Sequence, residues 1–226
     1  MIIQNISEIY KRVSHAAMRA GRDPQEVKVM AVTKTVGPEL VLEAVEAGIR
    51  LIGENYVQEA EKKAEALKGK LPETVSWHLI GHLQKNKVKK AVNLFDVIES
   101  LDSIELAERI NRMAKDLGKF QRVLVQVKLA EEVTKSGIPE DRVQELLDAV
   151  SQMEHLRVEG LMLLPPFFED PEKTRPFFRR LRQLRDQLHE KGYTFLKELS
   201  MGMSHDYEVA VEEGATVVRI GTAIFG

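Results

Sequence analysis

Short apolar runs alternate with helical stripes eight times along this chain, and nothing else in the sequence narrows its fold so far. The runs are Val29-Met30-Ala31-Val32-Thr33, Leu51-Ile52-Gly53-Glu54-Asn55, Trp77-His78-Leu79-Ile80, Asp96-Val97-Ile98-Glu99, Val123-Leu124-Val125-Gln126-Val127, Val158-Glu159-Gly160-Leu161-Met162-Leu163, Glu198-Leu199-Ser200-Met201 and Thr216-Val217-Val218-Arg219-Ile220. Each has the length of a buried strand. Amphipathic helical patterns over 38–47, 56–67, 84–92, 103–117, 139–150, 172–190 and 205–213 separate them. Pro38 and Pro139 stand at helix starts, where a missing N–H costs nothing. A further stripe over 2–20 carries Ile2, Ile6, Ile9, Val13, Ala16 and Ala17 and stops at Gly21. Strict alternation predicts a parallel sheet. An open doubly wound sheet would fit the alternation as well, but eight units in about 200 residues match a closed (β/α)8 barrel. The expectation is a single α/β domain over 1–226, a TIM barrel with an extra N-terminal helix. Little chain remains for a helix after strand eight, so helix 2–20 is expected to cover that side.

Composition excludes several function classes. The chain has 33 Lys and Arg against 35 Asp and Glu, a net charge of −2, so it has no global basic footprint and no nucleic-acid partner is expected. It has no cysteine, which rules out disulfides and thiolate-ligated metals. Met1-Ile2-Ile3-Gln4-Asn5 lacks the basic start and apolar stretch of a secretory signal, and no apolar run approaches the roughly 20 residues of a membrane span. A cytoplasmic protein without membrane contact is expected.

Chemistry is expected at the C-terminal ends of the barrel strands, with a phosphate held after strands seven and eight. Strand one ends on Lys34, a cation at the mouth of a buried strand. Strand seven runs through Ser200-Met201-Gly202-Met203-Ser204 into a helix, and strand eight ends in Arg219-Ile220-Gly221-Thr222. Glycine lets backbone approach an anion, hydroxyls donate hydrogen bonds, and a helix start offers free N–H groups. Each loop alone also reads as an ordinary turn, with Ser204 as the N-cap of helix 205–213. Asn55 and His78 add polar groups at strands two and three, although a lone strand histidine is more often a satisfied core residue. The run Lys85-Asn86-Lys87-Val88-Lys89-Lys90 reads as a solvated helix face. A lysine facing a phosphate cradle suggests a Schiff base with a phosphorylated carbonyl compound. A free lysine is neutral in only about one molecule in a few thousand at pH 7, so the site must favour the neutral amine. The residues alone do not separate pyridoxal phosphate from a sugar phosphate.

Six stretches together are more specific. Ala31-Val32-Thr33-Lys34, Gly53-Glu54-Asn55-Tyr56-Val57-Gln58-Glu59, Trp77-His78-Leu79-Ile80-Gly81-His82-Leu83-Gln84-Lys85-Asn86-Lys87, Lys135-Ser136-Gly137, Leu199-Ser200-Met201-Gly202-Met203-Ser204 and Val218-Arg219-Ile220-Gly221-Thr222-Ala223-Ile224-Phe225-Gly226 occur in order. The chain from about residue 28 onward resembles the pyridoxal phosphate homeostasis protein family, which is related to the barrel domain of alanine racemase. The resemblance implies an aldimine between pyridoxal 5′-phosphate and Lys34. It implies that Gly202, Ser204, Gly221 and Thr222 hold the phosphate, that Arg219 faces the pyridine nitrogen, and that Asn55 and His78 lie near the ring. Lys135 is a second lysine that would stand near the rim. His205 departs from the family, where an acidic residue is common.

The resemblance implies a carrier that buffers or delivers the cofactor, to pyridoxal-dependent apoenzymes among others, with little or no catalysis. An arginine at the ring nitrogen disfavours ring protonation and makes a poorer electron sink. Racemisation also needs a base on each face, and of Tyr10, Tyr56, Tyr193 and Tyr207 only Tyr56 and Tyr207 lie near the rim. An amino-acid racemase and a Schiff-base aldolase of sugar phosphates are the rival readings. Without alanine racemase's second domain and its dimer contacts, a monomer is expected.

Overall fold

The computed structural model describes residues 1–129 and 136–226. The strands are β1 (Lys28–Val32), β2 (Leu51–Glu54), β3 (Ser76–Leu79), β4 (Val97–Leu101), β5 (Gln121–Lys128), β6 (Ile138–Pro139), β7 (Leu156–Leu163), β8 (Glu198–Met203) and β9 (Val217–Ile220). All pair in parallel, and the neighbours run β4-β3-β2-β1-β9-β8-β7-β5, with β4 pairing β5 to close the ring. The result is the expected eight-stranded barrel. The two-residue β6 is an addition: it extends the end of β5 through Val127 and Lys128 and takes no place in the ring.

Nine α-helices are assigned among the described residues: α1 (Ile2–Arg19), α2 (Pro38–Glu46), α3 (Val57–Ala66), α4 (Val88–Leu94), α5 (Ile104–Asp116), α6 (Val143–Ser151), α7 (Arg175–Glu190), α8 (Tyr207–Glu212) and α9 (Thr222–Phe225). Their apolar stripes bury against the strands, as Leu106, Ala107, Ile110 and Ala114 do on α5. Several boundaries differ from the sequence reading: the helices expected over 84–92 and 172–190 begin only at Val88 and Arg175, behind 3₁₀ turns over Lys85–Lys87 and Pro171–Thr174. Pro139 does not open a helix: it ends β6, and a 3₁₀ turn over Glu140–Arg142 leads into α6. Its fixed φ suits the extended end of a short strand, where no ladder N–H is required. The few residues after β9 do form a helix, the single turn α9.

Helix α1 covers the seam between β1 and β9. It packs on α8, α2 and α9, and Asn5 donates from Nδ2 to the Ile224 carbonyl at 2.9 Å. Arg22, just beyond α1, donates to the carbonyls of Val211 and Ala215. No helix among the described residues is long and apolar enough to cross a membrane.

At the C-terminal ends of β2 and β3 the backbones nearly touch. A Cβ on Gly81 would lie 2.1 Å from the Asn55 carbonyl oxygen. Gly81→Ala must therefore push the two strand ends apart, at a cost of about 1–3 kcal/mol in chemical denaturation. An unchanged denaturation midpoint would show that this approach does not constrain the barrel mouth.

Candidate functional site

Alternate residues of each strand face the barrel interior. Met30, Ile80 and Val217 pack together there with Val32 and Leu51 against them. Val97, Leu124 and Met162 form a second interior cluster with Leu164. The same alternation points His78, Glu99, Ser200 and Arg219 inward among these clusters, with Arg219 level with Met30 and Ser200 level with Met162. Lys34, Asn55 and Gly221 follow just past the ends of β1, β2 and β9, at the C-terminal mouth of the barrel. Register ties them together: Met30 lies beside Arg219, Val32 beside Gly53, and Gly53 beside His78.

The interior polar residues form one chain across the lumen. Arg219 donates to the Ser200 hydroxyl at 2.8 Å and to the Leu163 carbonyl at 2.7 Å. Ser200 donates to Glu99 Oε2 at 2.6 Å, and Glu99 Oε1 meets His78 Nδ1 at 2.7 Å. All four residues are buried, Glu99 completely. Burial opposes ionisation of Glu99, but His78, Arg219 and Ser200 outweigh it and hold the carboxyl below its ordinary range. Burial lowers the Arg219 guanidinium, with Glu99 and Asp206 pulling the other way.

Buried polar atoms without a protein partner include His78 Nε2 and Asn55 Oδ1 and, on the outer side of β2, Glu54 Oε2. Buried polar atoms are nearly always satisfied, so an orphaned pair at the mouth of a barrel fits a ligand that supplies polar groups. His78 is thus more than a satisfied core residue: one ring nitrogen is anchored and the other is left over.

The ends of β8 and β9 meet at Ser204. Its hydroxyl oxygen accepts the backbone N–H groups of Gly221 and Ala223, both at 3.2 Å. Ser204 therefore does not cap the following helix. The residue before α8 is Asp206, and its carboxylate accepts the Met203 N–H at 2.7 Å. Gly202 has φ +93°, and a Cβ there would lie 2.5 Å from that of Ala210. Only glycine lets the chain turn so tightly onto α8. Thr222 is exposed at the start of α9. The result is a small concave run of backbone N–H groups and hydroxyls, suited to an anion.

Lys34 follows β1 in a tight turn and is exposed. The next residue, Thr35, has φ +63°, a left-handed conformation that a β-branched residue adopts only under constraint. The constraint lies outside the barrel. Lys63 of α3 donates to the Thr33 carbonyl at 2.5 Å and pairs with the buried Glu54, which also accepts the Thr33 hydroxyl. Glu59 accepts the Thr35 N–H at 2.6 Å and lies 3.3 Å from the Lys63 ammonium. Burial raises the Glu54 carboxyl above its ordinary range, against the pull of Lys63 and Thr33.

Other sequence candidates lie elsewhere. Lys135 falls outside the described residues. Lys85 and Lys90 make exposed ion pairs with Glu105 and Glu61, as a solvated helix face does. Tyr193 donates to Asp148, and Tyr207 lies buried beneath Arg12 of α1. Tyr56 is exposed at the end of β2. His205 meets the Glu169 carbonyl at 2.8 Å and packs against Phe167. A cavity of about 680 Å³ opens at the opposite end of the barrel, near Arg122, Leu156 and Glu198, and contains none of the candidate residues. No carboxylate–histidine group that could hold a metal occurs among the described residues.

Glu99, Ser200, Glu54 and Lys63 were not singled out as site residues from sequence. Glu99 and Ser200 carried a signal, as polar residues in apolar strand runs. Lys63 sits among Glu61, Lys62 and Glu65 and carried none.

Residues 5–226 match the alanine racemase N-terminal domain family. The pyridoxal phosphate homeostasis protein of Aquifex aeolicus is 44% identical over 223 residues, which span 99% of this chain and 96% of that protein. Its counterpart in Escherichia coli K12 is 37% identical, covering 100% and 96%. Among solved structures, PipY of Synechococcus elongatus PCC7942, with PLP bound, has a TM-score of 0.87 at 37% identity, with both chains fully covered. An alanine racemase of Clostridium difficile 630 shares the fold, with a TM-score of 0.70 at 17% identity, over 96% of this chain and 56% of that one. With relatives this similar over nearly their whole length, the chain belongs to the pyridoxal phosphate homeostasis protein family.

Proposed function

We propose that this protein binds pyridoxal 5′-phosphate at the C-terminal mouth of its barrel, with Lys34 as covalent Schiff-base anchor, and buffers or delivers the cofactor in the cytoplasm. The observation that carries the reading is the two orphaned atoms His78 Nε2 and Asn55 Oδ1, at β3 and the end of β2, the strands that follow β1 around the ring, with the buried Arg219 on the other side of β1. The likeness to PipY, solved with PLP bound, supports the same ligand.

When bound, the cofactor supplies an aldehyde that a lysine amine can attack and a ring that can accept electrons. Each residue then has a distinct task. Gly202, Ser204, Gly221 and Thr222 would hold the phosphate through the Ser204 and Thr222 hydroxyls and the backbone N–H groups of the turn. Arg219 would donate to the ring nitrogen. A guanidinium stays protonated and has no acceptor, so it holds that nitrogen as an acceptor. Ser200 and Glu99 keep Arg219 in place, and Glu99 fixes His78 so that its second nitrogen faces the ring beside Asn55.

An unprotonated ring stabilises a carbanion poorly, which favours a carrier over a racemase. Tyr56 is the one tyrosine of the four exposed at the barrel mouth, and a second base opposite Lys34 has no candidate among the others. The protein acts as a monomer that meets pyridoxal-dependent apoenzymes directly.

Added pyridoxal phosphate is expected to give a yellow absorption band that borohydride traps. Lys34→Ala abolishes the band and the trapping; a band of equal strength in the variant would remove Lys34 as the anchor. The carrier reading predicts no sustained exchange of the α-proton when alanine and other amino acids are incubated with loaded protein in D2O. Steady exchange followed by NMR would place the protein with the racemases.

A further inference from the structure

We propose that Lys63 of α3 is a positioning residue that holds Lys34 aimed into the barrel mouth from outside the barrel. The inference rests on Lys34 being the covalent anchor. Its physical basis is the turn Thr33-Lys34-Thr35, whose two flanking residues are both tied to α3 while Lys34 itself is free to face the lumen.

The tie is built from buried groups. Thr33 and Glu54 are fully buried, and Lys63 is 4% exposed. Thr33 and Glu54 face α3, where both meet Lys63, while Lys34 between Thr33 and Thr35 is exposed at the barrel mouth. The Lys63 ammonium meets three oxygens: the Thr33 carbonyl at 2.5 Å, Glu54 Oε1 at 2.5 Å and Glu59 Oε1 at 3.3 Å. That set fills the three donors of an ammonium. The Thr33 carbonyl also accepts the Val36 N–H at 3.0 Å, which closes the turn. Glu59 then fixes the far side through the Thr35 N–H at 2.6 Å.

The held conformation is an unfavourable one. Thr35 sits at φ +63°, where its Cβ crowds the backbone. Such strain persists only when the surroundings over-determine it. Without the Lys63 and Glu59 contacts, Thr35 returns to an ordinary conformation and the direction of the Lys34 side chain at the barrel mouth is no longer fixed. Structural ion pairs of this burial are usually as replaceable as an apolar pair. A positioning role differs because its loss falls on the covalent ligand rather than on every ligand.

The test compares two ligands in Lys63→Met, Glu59→Ala and Lys34→Ala. One is pyridoxal phosphate, read by its absorption band and by equilibrium binding. The other is its 4′-alcohol analogue, which keeps ring and phosphate but has no carbonyl for an amine. Lys63→Met is expected to lose affinity for pyridoxal phosphate about tenfold, the equivalent of releasing one strained residue. Glu59→Ala is expected to lose less, about threefold. Both should bind the alcohol within about twofold of the unaltered protein. Glu59 is partly exposed, so its variant decides the matter if Lys63→Met fails to fold.

A folded Lys63→Met with unaltered affinity for pyridoxal phosphate would overturn the proposal, as would equal losses for both ligands in either variant. When Lys63→Met does not fold, unaltered affinity in Glu59→Ala has the same effect. Lys34→Ala separates this from the parent reading. If it binds pyridoxal phosphate as tightly as the unaltered protein, Lys34 is not the anchor. If it loses that affinity while Lys63→Met keeps it, only the positioning role falls.

Discussion

A guanidinium buried inside a barrel must be given oxygen partners, and the arrangement around Arg219 follows from that need. Desolvating a charge costs several kcal/mol unless hydrogen bonds replace the lost water. Arg219, in β9, finds Ser200 on β8 and the Leu163 carbonyl at the end of β7. Ser200 reaches Glu99 on β4, across the lumen, and Glu99 reaches His78 on β3. Five of the eight ring strands are thus tied through one polar chain set among apolar side chains. Removing any middle member would leave a buried charge or a buried donor unmatched, so the chain stands or falls as a unit.

That unit also divides the site into parts with different mechanics. Arg219 and His78 are braced by residues that face the lumen, and they cannot move without breaking buried hydrogen bonds. Lys34 and the Ser204 cradle lie on turns beyond the strand ends, held instead by groups outside the lumen: Lys63 and Glu59 of α3 for the one, the Gly221 and Ala223 N–H groups for the other.

Much of this was legible in the sequence, for identifiable reasons. Strand and helix periods are local, so eight alternations could be read directly, and with them the barrel and its functional end. Gly202, Ser204, Gly221 and Thr222 stood out because turn chemistry is local too. Pairings between distant strands are not. Nothing near Glu99 announces that Ser200 will meet it from the far side of the lumen, and Ser204 read as a helix cap because its true donors, Gly221 and Ala223, lie in another loop. Lys63 is hidden for a different reason: in a run of charged residues on a surface helix, the one lysine that turns inward has the same local spelling as its neighbours. Pro139 was misplaced because proline suits both a helix start and a strand end, and only the pairing of Ile138 with Val127 decides between them.

The seam between β1 and β9 bears on the order of events in folding. The first and last strands of the barrel pair with each other, and α1 covers the join with Asn5 bonded to Ile224, 219 positions away. Contacts so remote in sequence form late, since a long loop of chain must be ordered before they give anything back. On the ribosome the ring stays open until β9 emerges. Through synthesis β1 keeps an unpaired edge, and the helix destined to shield it has no α8 or α9 to rest upon. The two sides of the barrel mouth at that seam, Lys34 after β1 and Gly221 after β9, therefore come together only once β9 has been made.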